Sequence, residues 1–267
     1  MFNQTLGRLT IVLMTGFAQA SLSVAAELTT AEEIDACYES NFPDSTAVQT
    51  VTLSAKDRIG AVTTSRATLY WKKFDDGLSK VMMRFEKPAD LRGAGLLMIE
   101  KKKRNDLFMY LPELRRVKRI SKHMSSGSMF GTDFSYEEFE RIQGMKLDGV
   151  SERLEDDEIG GREMYVTSAT PAAEEESSYE RIKTWIDKQT CVALRTEFYE
   201  RGDQPRKIMT APYERVSREA DVWVAREIVM HDRRDETDTT LRVEELEIGL
   251  EVPRKLFSQK ELDQGGR

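Results

Sequence analysis

The side chains that could do chemistry are few, and their spacing argues against it. Two histidines occur, His123 and His231, and neither has a second histidine at metal-ligand spacing. No C-x-x-C, H-E-x-x-H, G-x-S-x-G or phosphate-loop pattern is present. The stretch "RGAG" at 92–95 holds a lone G-x-G without the rest of a dinucleotide fingerprint. The acidic run Glu155-Asp156-Asp157-Glu158 lacks the calcium-loop pattern and runs on to Gly160-Gly161, so it reads as a strand end and turn. Asp and Glu number 47, which makes any single carboxylate pair uninformative. We therefore expect no enzyme, no catalytic residues, no metal and no cofactor.

Cys37 and Cys191 have two open readings. In an oxidising compartment they can form one disulfide, which over so long a loop would contribute roughly 4–5 kcal/mol in the chain-entropy description. As free thiols they would be two small buried hydrophobes.

Charge is unevenly placed. The formal net charge of −7 argues against general nucleic-acid binding. From Lys101 to His123 there are nine Lys/Arg against two acids, and from Thr132 to Glu158 ten acids against three Lys/Arg. The basic stretch carries Lys101, Lys102, Lys103, Arg104, Arg115, Arg116, Lys118 and Arg119. It is either the solvated face of a hairpin with Pro112-Glu113 at its turn, or a docking patch for an anionic membrane, head group or protein.

The chain opens with one basic residue, Arg8, then "LTIVLMTGFAQASLSVAA". This reads as a secretory signal peptide over 1–26, cut near Ala26. Residues 27–267 then form one domain, since nothing marks a second; at this length the domain can bury a large core.

The elements follow from periodicity. "TTAEEIDACYESNF" reads as a helix with Thr29 and Glu32 at capping-box spacing. The period then changes to two. In "LSKVMMRFE", Val81, Met83 and Phe85 share one face, while Met82 interrupts the polar one. Asp75-Asp76-Gly77 marks a hairpin turn. In "TTLRVEELEIGLEV" the apolar phase switches between Val243 and Leu246, which predicts a bulge near Glu244-Glu245. "SATPAAEEESS" reads as an exposed loop. In all, about eleven short strands with one polar face predict a curled antiparallel sheet. "FGTDFSYEEF" stands apart as a firmly specified helix start. Ser135 is its N-cap, Glu138 closes a capping box, and Phe134 and Phe139 sit at staple positions.

The segment 88–142 carries "P-x-D-x-R-G" (Pro88, Asp90, Arg92, Gly93), "YLPELRRVKRI" and "FGTDFSYEE". Together these resemble the LolA-like family of outer-membrane lipoprotein-sorting proteins, in its broader branch often associated with RND-type exporters. The resemblance implies a mainly β (α+β) fold, an incomplete barrel whose helices cover an apolar cavity. It also implies a periplasmic chaperone-like carrier of acyl chains. Its cargo would be a lipoprotein or lipid, and its partners an inner-membrane transporter (ABC or RND type) or an outer-membrane acceptor. The protein would be a monomer. Alternatives are an exporter's accessory subunit and a lipoprotein-sensing regulator. Strand parity predicts a cavity lined by Leu69, Trp71, Val81, Met83, Phe85, Met109, Leu194, Phe198, Val224, Ile228, Leu246 and Ile248. The Ser125–Ser128 stretch before Ser135 reads either as the hinge of a lid over that cavity or as a plain crossover.

Overall fold

The computed structural model describes residues 27–145 and 148–264; the expected leader over 1–26 lies outside them. After α1 (Ala31–Glu39) come β1 (Thr46–Lys56), β2 (Val62–Lys73), β3 (Ser79–Lys87), β4 (Gly95–Ile99), β5 (Asp106–Leu111) and β6 (Arg116–Ile120). Two helices follow, α2 (Lys122–Ser125) and α3 (Tyr136–Ile142). The second run of strands is β7 (Gly149–Arg153), β8 (Asp157–Ile159), β9 (Arg162–Pro171), β10 (Arg181–Asp187), β11 (Ala193–Tyr199) and β12 (Lys207–Thr210). It ends in β13 (Val216–Glu219), β14 (Val222–Ala225), β15 (Glu227–Asp232), β16 (Thr237–Ile248) and helix α4 (Gln259–Gln264).

Fourteen strands make one sheet, in the order β6-β5-β4-β3-β2-β1-β16-β15-β12-β11-β10-β9-β7, with β8 also on β9. Its pairings are antiparallel. β13 and β14 form a separate hairpin. The expected count of about eleven strands is too low because β7, β8, β13 and β14 are three to five residues long. So short a run carries too little alternation to read. The sheet is curled and open, with β6 and β7 as its two edges. The described residues 121–145, with α2 and α3, follow edge strand β6 in the chain and precede edge strand β7, so the covering segment lies on the crossover between the two edges.

The two faces explain the irregular strands. Val81, Met83 and Phe85 point into the main core with Leu69, Leu96, Phe134 and Phe139. Met82, on the opposite face, packs with Leu97, Phe108, Val252, Phe257 and Leu262. The C-terminal segment therefore covers the outside of β3–β5, and an apolar Met82 is required there. Arg84 on that face donates to the carbonyl oxygens of Leu262 at 2.7 Å and of Glu261. The β1–β16 register shifts where Thr50 faces Glu245 and Val51 faces Val243. Glu244 is the extra residue of the expected bulge, so the apolar residues on both sides of it reach the concave face.

The cap of α1 differs by one residue from the sequence reading. Thr30, not Thr29, is the N-cap, and its hydroxyl accepts from Glu33 N–H at 3.2 Å. Glu33 Oε2 accepts from Thr29 N–H at 2.7 Å and Thr30 N–H at 3.1 Å. The shift lets Ala31 and Ile34 face inward together. "SATPAAEEESS" is also only partly a loop, because β9 runs through Pro171 and Ser177 and Ser178 dock on α3.

Candidate functional site

The covering segment is built as the sequence implies at its start. Ser135 Oγ accepts from Glu138 N–H at 3.2 Å, and Glu138 Oε2 accepts from Ser135 N–H at 2.7 Å. Phe134 and Phe139 are fully enclosed on either side of this cap. The next layer was not readable in advance. Glu138 is completely buried and accepts from Lys207 Nζ at 3.1 Å and from the Tyr179 hydroxyl. Lys207 Nζ also donates to the Asp133 carbonyl oxygen at 2.6 Å. The Asp133 carboxylate accepts from Thr239 at 2.6 Å and from Thr237. Burial, then the Glu138 charge and hydrogen bond, push the Tyr179 phenol far up, so it stays a donor. At the far end of α3, Trp71 Nε1 donates to the Gln143 carbonyl oxygen at 3.1 Å. The segment is thus bolted to β12, β16 and β2.

Beneath it, one half of the concave face is filled. Phe130 lies 4.6 Å from Phe85, and Tyr136 packs beside Phe130 at 6.4 Å between ring centres. Val81, Met83, Phe85 and Met109 therefore belong to the solid core with Met129 and Phe134. They do not line the open clefts, because side chains of the covering segment occupy that space.

The other half is open. A cleft of about 430 Å³ runs between α1, the end of α3, β7 and the concave face of β9–β11, with Ile182, Ile186, Ala193 and Phe198 in its wall. A second, of about 140 Å³, lies beside it against β1, β2, β15 and β16. Tyr38, Ile142 and Met209 line both. Leu69, Trp71, Val224, Ile228, Leu246 and Ile248 line the smaller cleft, and Phe198 the larger. Leu194 goes elsewhere. The β10–β11 register shifts between Trp185/Arg195 and Ile186/Ala193, leaving Leu194 as the extra residue. It joins Met164, Val166 and Trp185 in a separate cluster that Val216 and Trp223 of the β13–β14 hairpin cover. A one-residue bulge moves a side chain to the other face. The larger cleft lies within the ~300–1,000 Å³ range of small-ligand sites.

α1 forms one wall of the larger cleft and is tied covalently. Cys37 and Cys191 form a disulfide with 5.4 Å between their Cα atoms, which decides between the two readings. Asp187 shapes the turn that presents Cys191. Its Oδ1 accepts from the Gln189 and Thr190 N–H groups, and Arg162 Nε donates to Oδ2 at 2.7 Å. Burial raises the Asp187 carboxyl, but Arg162 and Thr190 outweigh it and hold the group below its ordinary value. Asn41 continues the strap, donating to the Thr190 carbonyl oxygen at 2.8 Å and accepting from Trp223 N–H at 2.9 Å.

The eight basic residues occupy the edge hairpin, with Lys101 to Arg104 between β4 and β5, Arg115 in the β5–β6 turn, and Arg116, Lys118 and Arg119 on edge strand β6. Lys101 and Arg119 both pair with Asp106. Among the described residues no cluster of His, Cys, Asp or Glu could hold a metal ion. No helix among them is long and apolar enough to cross a membrane.

A curled, open antiparallel sheet with a capped helix packed across its concave face is the LolA-like fold. A DUF1329 family protein from Desulfovibrio piger shares it at TM-score 0.80 and 21% identity, over 86% of this chain and 96% of that one. A domain from Vibrio parahaemolyticus, proposed to be an outer membrane lipoprotein-sorting protein, shares it at 0.78 and 23%, over 86% and 97%. A LolA superfamily protein from Nitrosomonas europaea shares it at 0.70 and 18%, over 88% and 100%. At these identities the likeness is one of fold. No curated protein matches the chain. A family model described as "uncharacterized protein" matches residues 77–264, and the chain belongs to that family.

Proposed function

We propose that this protein is a periplasmic, non-enzymatic carrier of acyl chains, delivered by a leader cut near Ala26 and folded as one domain over 27–267. The observation that carries the reading is the pair of adjoining apolar clefts on the concave face. The fold supports it, since one protein sharing it is named for lipoprotein sorting. Burying an acyl chain gains about 0.8 kcal/mol per CH₂, so release calls for a tighter acceptor or a narrowing of the clefts. An inner-membrane transporter of ABC or RND type and an outer-membrane acceptor would supply loading and release. The basic edge hairpin suits docking on such a partner, because Arg115 and Arg116 are exposed.

The test is displacement of a fluorescent fatty-acyl probe. Saturable uptake near one probe per chain, lost in Ile228→Glu, is expected. No uptake by the folded wild-type protein would contradict the carrier reading and favour an exporter-docking subunit.

A further inference from the structure

The β1–β2 hairpin projects past its neighbour. β2 pairs with β1 from Val62, opposite Lys56, but β3 first reaches β2 at Arg66, opposite Lys87. Residues 62–65 therefore run roughly 13 Å beyond the end of β3, at about 3.3 Å per residue. The turn at the tip is firmly made. Asp57 Oδ1 accepts from the Ile59 N–H at 3.0 Å and the Ala61 N–H at 2.8 Å, and Asp57 N–H donates to the Ala61 carbonyl oxygen at 3.0 Å. Gly60, with φ +88°, supplies the left-handed residue of the turn. This frame holds Ile59 83% and Val62 60% exposed, and Ile59 is the most exposed large apolar residue among the described ones. Single apolar residues scattered over a surface need no explanation. A pair fixed at the tip of a projecting hairpin is not scattered.

Cations surround that tip. Antiparallel pairing puts the β1–β2 turn, the β3–β4 loop and the β5–β6 turn at the same end of the sheet. Lys56 and Arg58 flank Ile59, Lys87 and Arg92 stand at the β3–β4 loop, and Arg115 and Arg116 at the β5–β6 turn, all of them exposed. None of the six pairs with a carboxylate among the described residues. The acids of these turns are Asp57, Asp90 and Glu113, and the Asp57 carboxylate is engaged by its own turn. Leu114, on the β5–β6 turn, is a further exposed apolar residue. This end is thus net positive on a chain whose formal charge is −7. We propose that it docks on an anionic lipid bilayer, with Ile59 and Val62 entering the head-group boundary and the surrounding Lys and Arg side chains on lipid phosphates. Apolar side chains set in a cationic surface are the pattern of interfacial binding. A bilayer fits better than a protein groove, because the apolar groups stand on separate turns with charge between them and form no contiguous patch. None of these residues lines either acyl cleft, so the inference does not rest on the carrier reading.

The test is sedimentation of the intact protein with vesicles of phosphatidylcholine alone and of phosphatidylcholine with about a third phosphatidylglycerol, at low and high salt. Binding to the anionic vesicles is expected to be about tenfold tighter, with the gap closing in salt. Ile59→Asp with Val62→Asp, and separately Lys56→Glu with Arg58→Glu, should each weaken it by about tenfold at an unchanged melting temperature, since all four side chains are exposed. No sedimentation of the wild type with anionic vesicles, or unweakened binding by both double variants, overturns the inference and leaves the carrier reading standing. A photo-crosslinking residue in place of Ile59 gives an independent readout. Attachment to lipid supports the bilayer, and attachment to a membrane protein alone assigns this end to a protein partner and overturns the inference.

Discussion

Lys207 on β12 and Glu138 on α3 meet at 3.1 Å inside the protein, where Glu138 has no exposed side-chain surface at all. The pair joins the covering segment to the far half of the sheet. A buried ion pair is weak evidence of net stability, yet removing one partner strands the other charge. Lys207→Met is therefore expected to lower unfolding free energy by about 3–5 kcal/mol, read by chemical denaturation. A loss under about 1 kcal/mol, as for an exposed pair, would show that the bolt is not closed in solution.

The covering segment should stay put when ligand binds, and α1 should respond. Hydrogen exchange over 129–142 is expected to be unchanged by an acyl ligand, while exchange over 31–39 slows. The reasoning is that Asp133, Glu138 and Gln143 are tied to three strands, whereas α1 lines the larger cleft. Protection gained in 129–142 alone would restore the covering segment as the moving lid.

Stability should fall as pH rises from about 4.5 to about 8. Burial, assisted by Glu137 and Glu175 and opposed by a hydrogen bond from Asn105, pushes the Glu140 carboxyl up to about 8. Its Oε1 has no hydrogen-bond partner. The folded protein thus holds a proton that the unfolded chain releases near the ordinary carboxyl value of 4.5. That contribution is complete below the unfolded value and is lost as pH rises through the folded one. Glu140→Gln should leave stability at pH 5 nearly unchanged and raise it at pH 8 by several kcal/mol, on the order of 1.4 per pKa unit. Equal pH slopes in mutant and wild type would contradict this.

Reducing the disulfide should cost roughly 4–5 kcal/mol and free α1 from the β10–β11 turn. Intact mass would rise by about 2 Da on reduction of the single bridge, and thermal unfolding would move down. An unchanged melting temperature with full reduction would mean that the Asn41 and Asp187 bonds hold α1 alone.

Cleft and core residues should separate cleanly. Leu246→Glu and Ile228→Glu sit at the cleft wall and should abolish acyl uptake with the fold retained. Val81→Glu puts a charge into solid core and should prevent folding. Leu194→Glu disturbs the outer cluster and should cost stability while folded protein still takes up the probe.

These contrasts also mark what was legible in the sequence. The Ser135–Glu138 cap and the Glu244 bulge were readable because cause and effect lie within a few residues. The Leu194 bulge was not, because its partner Trp185 lies on another strand and no switch of apolar phase announces it. Parity placed Val81, Met83 and Phe85 on the concave face correctly. It could not show that Met129, Phe130 and Phe134 would land there and fill it. The basic stretch was visible as composition, but the Asp106 pairs that absorb Lys101 and Arg119 depend on strand pairing. The buried partner of Glu138 comes from 69 residues away, beyond any local pattern.

The central claim is that the concave face carries an acyl chain. Native mass spectrometry of the mature protein purified from a periplasm, with solvent extraction of what it holds, tests this most directly. The carrier reading predicts a discrete lipid or acylated peptide at near one per chain, lost in Leu246→Glu. A clean unliganded mass, with no uptake of added phospholipid or lipopeptide, would contradict it.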